Sequence, residues 1–497
     1  MSYILQSMTV VFSPMMLAMV CGAVFAGIVI GAIPGLTATM ALVLLVPITY
    51  AMDTNTAVIL LISTYVGGVS GGFISALLLG IPGTPSSVAS LYDGYELVKK
   101  GQHERALGIS TIASAIGGLI SGIVLVLFSP ILASFALKFG PFEYLSLILF
   151  TFATIASFSE GSMIKAFLAG MIGLLFSTVG TSSIAGIERF TFGSNMLAVG
   201  FSSMPALIGI YAVPQILNEL KTYEPGSSAK LSVKTRPKEM MKSISDFKGR
   251  GKNIAVSSVI GTLIGILPGI GPGLSNIVAY SKAKDVSKHP EEFGTGSPEG
   301  LMAPDIAKNA SMGGALIPML TMGIPGDSST LVLIGALMLQ GLNPGPLLYR
   351  TSMDVVTTVF VTFFIAHIVM LIFSFFLMPI FVKALSIPNE YLFPIVIVFC
   401  VTGSFALNSN YFDVITFLIF GMLGYIFSRI GLPSLPVVIG LMLGKMAENQ
   451  LSIGLSVSSG SILPIFTRPI AMVILLMTVI SLLRPFIFKK PNQEGSK

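Results

Sequence analysis

The sequence predicts an all-α polytopic membrane protein with about 10 to 12 transmembrane spans, built as two inverted repeats whose helices are broken by Gly/Pro motifs. Three observations predict this fold: an apolar composition, apolar runs of bilayer length, and motifs that recur between the two halves. Of the 497 residues, 53% are hydrophobic and 10% are charged, and the mean hydropathy is +0.89. A soluble domain carries about 25% charged residues, so this chain lacks the means to cover itself with a water-facing surface.

Runs of about 20 apolar residues, the length that crosses a bilayer as a helix, recur from end to end. The run 355–382, for example, has His367 as its one titratable side chain. A transmembrane barrel would instead alternate in strands of about 10 residues. The N-terminal segment MSYILQSM has no basic residue, so we expect the first run to be a retained span and not a cleaved signal peptide.

Several functional classes lack their signatures in this sequence. Cys21 and Cys400 lie in predicted spans, so a disulfide framework is not expected, and His103, His289 and His367 lack metal-ligand spacing. There is no P-loop, and neither a Ser/His pair nor paired catalytic carboxylates occur at helical spacing. We therefore expect neither an ATPase nor another enzyme, and an intramembrane enzyme is a remote alternative. No cofactor is expected, and a bound metal ion is left open.

A basic segment, residues 221–252, divides the chain. It has nine Lys or Arg and three acidic residues, and its net charge of +6 equals that of the whole chain. Lys and Arg are retained on the cytoplasmic side of membranes, so this linker should be cytoplasmic and near lipid, and it does not indicate nucleic-acid binding. The C-terminal tail should be cytoplasmic too, because it carries Arg484, Lys489, Lys490 and Lys497 against Glu494.

The two sides of the linker carry similar motifs in the same order. The matching pairs begin at Ile30 and Ile264 (IGAIPGL and IGILPGI), Gly71 and Gly313, Pro141 and Pro388, and Gly170 and Gly421, at offsets of 234, 242, 247 and 251 residues. We interpret 1–220 as a first membrane repeat, 253–451 as a second, and 452–497 as an extra span with the tail. The first repeat ends at the cytoplasmic linker and the second ends one crossing from the cytoplasmic tail, so the repeats should be inverted.

Loop-forming residues interrupt an apolar run once in each half. GGFISALLLGIPGTPSS (Gly71 to Ser87) matches GGALIPMLTMGIPGDSS (Gly313 to Ser329). A broken helix is tolerated in a membrane only where protein or a water-filled cavity surrounds it, and paired breaks are the best sequence indication of a transporter's binding site. Hydroxyl or carboxylate side chains can cap the new helices, whose free N–H groups attract anions. The candidate substrate-binding residues are Pro82, Gly83, Thr84, Ser86 and Ser87, and Pro325, Gly326, Asp327, Ser328 and Ser329. Simple kinks and helix-packing glycines are the alternative.

Other polar residues accompany the breaks. Lys308 and Asn309 precede the second break and are further substrate-binding candidates, with snorkelling of Lys308 near a helix end as the alternative. Arg468 needs a partner within the final apolar segment, and Glu448 is the candidate. A second tier of lining residues follows the first Gly/Pro turn of each half, with helix capping as the alternative. It comprises Pro34, Gly35, Thr37 and Thr39, and Pro268, Gly269, Ser275 and Asn276.

Long motifs in both halves are similar to one known family. YVGGVSGGFISALLLGIPGTPSSVASLYDGYELVKKGQHERALG (Tyr65 to Gly108) and GTGSPEGLMAPDIAKNASMGGALIPMLTMGIPGDSS (Gly294 to Ser329) resemble the large membrane subunit of tripartite tricarboxylate transporters. LIGALMLQGLNPGPLL, RFTFG and IFTRP also resemble that family, and the likeness runs essentially end to end. The resemblance implies a secondary permease in the cytoplasmic (inner) membrane of a bacterium or archaeon. It also implies two partners, a small membrane subunit and an extracytoplasmic solute-binding protein.

The resemblance further implies a substrate class and a driving force. Substrates of this family are mostly small di- and tricarboxylates such as citrate, and uptake is a symport driven by an ion gradient. Sodium is the expected ion and the proton is the alternative, while a homo-oligomer is left open. The chain departs from the family pattern at Ser70, Phe73 and Gly80, where Tyr, Ser and Asn are common, and at Lys308, where Asn is common.

Two transport hypotheses follow. The leading one is carboxylate uptake that depends on a binding protein. The alternative is a self-sufficient carboxylate carrier or channel, which would work without an extracytoplasmic partner. The sequence leaves open whether the Gly/Pro segments cross the membrane fully or dip in and return.

Overall fold

The chain folds almost entirely as α-helix in the computed structural model, which confirms the predicted all-α membrane class. Part of the predicted basic linker and most of the tail lie outside the residues that the structure describes. These residues are 2–158, 162–182, 186–222, 235–385 and 389–487.

The first half contains eleven α-helices and one small hairpin within the described ranges. The hairpin consists of β1 (Gly180–Thr181) and β2 (Glu188–Arg189), which pair antiparallel. The helices are α1 (Ser2–Val11), α2 (Pro14–Ala32), α3 (Ala38–Thr49), α4 (Thr54–Gly71), α5 (Phe73–Leu79), α6 (Val88–Lys99), α7 (His103–Ala136), α8 (Pro141–Phe158), α9 (Met163–Ser177), α10 (Asn195–Ala198) and α11 (Ser203–Thr222).

The described part of the linker contains α12 (Pro237–Met241) and a 3₁₀ turn, Lys242–Phe247. The second half then follows a similar order of long and short helices. These are α13 (Gly251–Ile266), α14 (Gly271–Val286), α15 (Pro298–Met322), α16 (Ser328–Leu339), α17 (Leu348–Thr351), α18 (Met353–Phe376), α19 (Met378–Ala384), α20 (Asn389–Asn408), α21 (Tyr411–Ile430), α22 (Ser434–Val457), α23 (Pro464–Thr467) and α24 (Pro469–Ile487).

Six helical stretches in the described part of the chain are long and apolar enough to cross a bilayer. They are α2, α4 continued through α5, α7, α8, α18 and α21. Six shorter helices are also apolar, namely α3, α9, α13, α16, α20 and α24. The molecule is therefore a multi-pass membrane protein, and the number of full crossings stays a prediction.

The centre of the molecule contains the two broken segments, α4–α5 and α15. In the first of them, 94% of the most apolar stretch is buried within the protein. A Cβ atom on Gly31 of α2 would lie 2.1 Å from the carbonyl oxygen of Gly68 in α4. A Cβ atom on Gly265 of α13 would lie 2.2 Å from the carbonyl oxygen of Ser311 in α15. These matched glycines of IGAIPGL and IGILPGI thus let a neighbouring helix approach each broken helix at backbone distance.

Helices of the two halves pack in a corresponding manner. The long helix α7 packs on α15 of the second half, and α18 packs on α4 of the first half. Likewise, α11 packs on α21, and α22 packs on α9. Each half therefore covers the broken helix of the other half, while the inversion of the repeats remains a prediction.

Two ion pairs outside the centre differ from the predicted one. Arg468 Nη1 lies 3.1 Å from Glu143 Oε2, and Glu448 Oε2 lies 2.9 Å from Arg189 Nη2. The predicted pair of Arg468 and Glu448 was therefore wrong. The reason is tertiary: α24 packs along α8, which carries Glu143, while β2 brings Arg189 to Glu448 on α22.

Candidate functional site

The first helix break follows α5. The helix ends at Gly80, and a 3₁₀ turn, Pro85–Ser87, leads into α6. Thr84 Oγ1 lies 2.8 Å from Ser86 Oγ and 3.2 Å from Ser87 Oγ, and all three side chains are buried. These hydroxyl groups bond to one another, so the side-chain cap expected at this tip is not formed. The first tip is thus a neutral, buried group of three hydroxyls.

The second helix break follows α15 and has a charged tip. Asp327 is the N-cap of α16: the Thr330 backbone N–H donates to Asp327 Oδ1 at 2.7 Å, and the Asp327 backbone N–H donates to Thr330 Oγ1 at 2.9 Å. This capping box satisfies two backbone donors that the start of a helix leaves free. The predicted capping role of Asp327 is confirmed, and its carboxylate is buried.

In each half, the glycine of the GIPG motif packs against the last turn of the helix that precedes the other Gly/Pro motif of that half, α2 or α13. A Cβ atom on Gly83 would lie 2.8 Å from the Gly31 carbonyl oxygen, and one on Gly326 would lie 2.7 Å from the Gly265 carbonyl oxygen. Glycine at both positions lets the chain pass this close to backbone. The two GIPG motifs therefore hold their tips at corresponding places, with Pro82 and Pro325 immediately before the glycines.

Hydrogen bonds then join each tip to the opposite half. At the first tip, Asn276 of α14 donates from Nδ2 to the Pro85 carbonyl at 3.3 Å and accepts at Oδ1 from the Ala89 N–H at 3.4 Å. At the second tip, Thr39 Oγ1 of α3 lies 3.0 Å from Ser329 Oγ, and the Tyr65 hydroxyl donates to Asp327 Oδ2 at 2.7 Å. Both tips therefore sit at the interface between the two halves.

The remaining second-tier residues contribute to turns and helix packing. The Met40 N–H donates to Thr37 Oγ1 at 3.2 Å, so Thr37 caps α3. Ser275 Oγ donates to the carbonyls of Pro272 at 3.1 Å and Ala307 at 3.3 Å, between α14 and α15. Thr37 therefore has the helix-capping role that was the alternative to lining the site, and Ser275 links α14 to α15. The turns between paired helices contain Pro34, Gly35, Pro268 and Gly269.

Lys308 and Asn309 lie near the middle of α15, fully buried. Asn309 accepts at Oδ1 from the Ser70 hydroxyl at 2.8 Å and donates from Nδ2 to the Asp305 carbonyl at 3.0 Å. Lys308 Nζ lies 2.6 Å from Asp305 Oδ1. The alternative in which Lys308 snorkels to a helix end was therefore wrong, because the side chain turns into the bundle.

Sequence reasoning gave no role to three residues that the structure places here. Tyr65 reaches Asp327, and Ser90 Oγ of α6 donates to Asp305 Oδ1 at 2.7 Å. Asp305 precedes Lys308 by three residues, a spacing that places the two side chains on one helix face. That spacing was the one available signal, since the other contacts join residues more than 200 positions apart.

Most polar side chains of both tips are buried within the helices, while Ser328 is half-buried and the first tip is exposed at Ile81 and Pro85. A cavity of about 340 Å³ lies elsewhere, between the α6–α7 connection and the linker. Four of its five charged side chains form two ion pairs, with Arg105 Nη2 2.5 Å from Asp246 Oδ1 and Lys242 Nζ 2.7 Å from Glu239 Oε2, and Glu104 Oε1 accepts from the Arg236 backbone N–H at 2.8 Å. The cavity therefore lies away from both tips.

The fold defines a class: a multi-pass helical membrane protein with two broken helices at its centre. The chain belongs to the tripartite tricarboxylate transporter TctA family, whose model matches residues 17–439. The resemblance noted in the sequence motifs is thereby confirmed.

Two relatives from Agrobacterium vitis are similar to this chain. One is an uncharacterized 52.8 kDa protein in the TAR-I ttuC' 3'region, 34% identical over 473 residues, which cover 95% of this chain and 93% of that protein. The other is an uncharacterized protein in the TAR-II ttuC' 3'region, 36% identical over 223 residues, which cover 44% of this chain and 92% of that protein. No solved structure matches the chain.

Proposed function

We propose that this chain is the permease subunit of a secondary active system that takes up small di- or tricarboxylates by symport. It acts in the cytoplasmic membrane of a bacterium or archaeon, together with a small membrane subunit and an extracytoplasmic solute-binding protein. A sodium gradient drives uptake, with a proton gradient as the alternative. The linker and the C-terminus face the cytoplasm.

The observation that carries this proposal is the pair of buried polar tips at the interface between the halves, in a chain of the TctA family. A broken helix is tolerated inside a membrane only where protein or a water-filled cavity supplies partners for its backbone groups, and paired breaks of this kind indicate the binding site of a transporter. Separation of the halves would expose both tips at once. This geometry supports a single transport site between the two halves.

The tips differ in charge, which supports a division of roles. Thr84, Ser86 and Ser87 offer neutral hydroxyl donors, which suit a carboxylate substrate. Asp327 has no Lys, Arg or His within ion-pair distance in the described part of the chain. A second buried carboxylate would be repelled there, whereas a sodium ion favours oxygen ligands. We assign the first tip to the substrate, and Asp327 with the neighbouring Ser328 and Ser329 to the coupling ion.

Uptake into proteoliposomes tests the proposal. The chain and its small membrane partner are reconstituted, and accumulation of labelled citrate and shorter dicarboxylates is followed with and without the binding protein, under sodium, proton or no gradient. We expect accumulation only when the binding protein and an inward sodium gradient are both present. Uptake without the binding protein would instead establish a self-sufficient carrier or channel, and uptake with a proton gradient alone would replace sodium as the coupling ion.

A further inference from the structure

The ion pair of Lys308 and Asp305 has no role in the proposed tips, although it lies deep in the protein. Both side chains are fully buried, and Nζ is 2.6 Å from Oδ1. Removing two charges from water is expensive, and apolar side chains of similar volume often fill such a place with no loss of stability. Charged side chains inside a membrane bundle are for this reason usually functional.

The surroundings of the pair come from the opposite half of the molecule. The ring of Phe73 in α5 covers the ammonium, with Nζ 5.1 Å from the ring centroid. Ser90 of α6 donates its hydroxyl to Asp305 Oδ1 at 2.7 Å. The pair is thus enclosed by the segments that flank the first broken tip.

Lys308 is poorly placed to bind a substrate carboxylate. Its charge is already neutralised by Asp305, and the aromatic ring of Phe73 occupies another side of the ammonium. A substrate carboxylate would add a second anion beside one cation in a buried space, which is unfavourable. The earlier assignment of Lys308 to substrate binding is therefore not the role that its contacts favour.

Asp305, by contrast, has the features of a cation ligand. Its Oδ2 atom is buried and has no hydrogen-bond partner among residues that the structure describes. The ammonium lies 2.6 Å from Asp305 Oδ1, and Ser90 Oγ donates to that same carboxylate oxygen. Small inorganic cations prefer such hard oxygen ligands.

We propose that Lys308 is a built-in cation, whose ammonium holds the place beside Asp305 that a sodium ion would otherwise occupy. The Lys308–Asp305 pair then stays neutral throughout the transport cycle without an ion from solution. Removing the ammonium should turn Asp305 into a sodium site. The consequence for transport, which rests on the proposed function, is that any coupling sodium must bind elsewhere in the protein.

Ion-dependent stability of the purified full chain tests this inference without any uptake measurement. Because Cys21 is a partly exposed free thiol, all proteins carry Cys21→Ser, and unfolding is followed in detergent with a thiol-reactive dye that reports exposure of the buried Cys400, in sodium chloride or choline chloride at equal ionic strength. The variants are Lys308→Met, which keeps the apolar stem, and Lys308→Asn, which supplies an amide oxygen. The matched control is Lys308→Met with Asp305→Asn, which removes both charges.

We expect sodium to raise the unfolding temperature of both single variants by a few degrees and in a saturable manner, since a ligand stabilises the state that binds it. The wild-type protein and the double variant should lack this additional response, since any sodium bound at Asp327 would stabilise all the variants alike. The inference is overturned if the single variants respond no more than the double variant, or if they fail to fold even when prepared in sodium. It is also overturned if sodium raises the unfolding temperature of the wild-type protein more than that of the double variant, which lacks the Asp305 carboxylate. Because no substrate is involved, these outcomes are independent of the uptake experiment.

Discussion

Thr84 and Asp327 stand at the same point of the two broken helices, directly after the GIPG motifs, yet only Asp327 is ionisable. Asp327 has two roles that a substitution can separate. Its Oδ1 atom caps α16, and its charge faces the Tyr65 hydroxyl without a cationic partner in the described ranges. Asparagine also caps helices well, so it preserves the first role and removes the second.

Replacing Asp327 by Asn should therefore leave stability nearly unchanged and weaken the sodium dependence of uptake. We expect the sodium concentration for half-maximal uptake to rise about 10-fold, which corresponds to about 1.4 kcal/mol. Asp327→Ala should in addition lower the free energy of unfolding by about 1–3 kcal/mol, because it removes the cap and leaves the Tyr65 hydroxyl unpaired.

Asp413→Asn is the matched control for this change. Asp413 is another buried aspartate, hydrogen-bonded by Asn408 Nδ2 at 2.6 Å and located on α21, away from both tips. Its replacement should leave the sodium dependence of uptake as in the wild-type protein. Unchanged sodium dependence in Asp327→Asn itself would remove Asp327 from the coupling site.

At the scale of the helical element, the position of the tips depends on close packing of α2 against α4. Gly31 belongs to the turn motif of the first half and contacts both the α4 backbone and the Gly83 tip. A side chain here would separate α2 from α4, which is buried in the centre. The element that carries the first tip would move with them.

Gly31→Ala should therefore destabilise the protein, whereas Gly22→Ala on the same helix should not. The new Cβ at Gly31 would meet the Gly68 carbonyl, and such overpacking costs about 1–3 kcal/mol. The Cβ at Gly22 would meet nothing within 4 Å, so the intrinsic helix preference of Ala should stabilise by up to about 1 kcal/mol. Thermal unfolding of both variants in detergent measures the difference, and equal unfolding temperatures would show that the close approach of α2 and α4 is not required.

At the scale of the whole molecule, the sequence predicted what depends on composition and local chemistry. Apolar runs predicted the all-α membrane class, and the GIPG motifs predicted both helix breaks. Polar residues after the first turns led to Thr39 and Asn276, which do contact the tips. Each of these signals lies within a short segment of chain.

Contacts set by helix packing could not be predicted in the same way. The pairing of Tyr65 with Asp327 and of Ser90 with Asp305 joins distant segments whose own sequences do not specify a partner. Arg468 illustrates the difficulty: Glu448 and Glu143 were both available acids, and the packing of α24 along α8 selected Glu143. Local sequence determines where a helix starts and ends, but the partners of its side chains depend on the arrangement of all the helices.

The inverted arrangement of the two repeats can be tested by finding on which side of the membrane the linker and the end of α22 lie. If the repeats are inverted, the linker lies on the cytoplasmic side and the end of α22 lies on the opposite side of the membrane. Ser245 in the linker turn and Ser456 near the end of α22 are both exposed, so each accepts a reporter cysteine. The native background is simple to remove, because the chain has only two cysteines, Cys21 and Cys400.

In a Cys21→Ser, Cys400→Ala background, Ser456→Cys should react with a membrane-impermeant maleimide in intact cells. Ser245→Cys should react only after the membrane is permeabilised, and wild-type levels of uptake would show that each variant is folded. Labelling of both positions from the same side would mean that the repeats are parallel. The two tips would then be unable to exchange places by a symmetric movement, and alternating access would need a different motion of the helices that carry them.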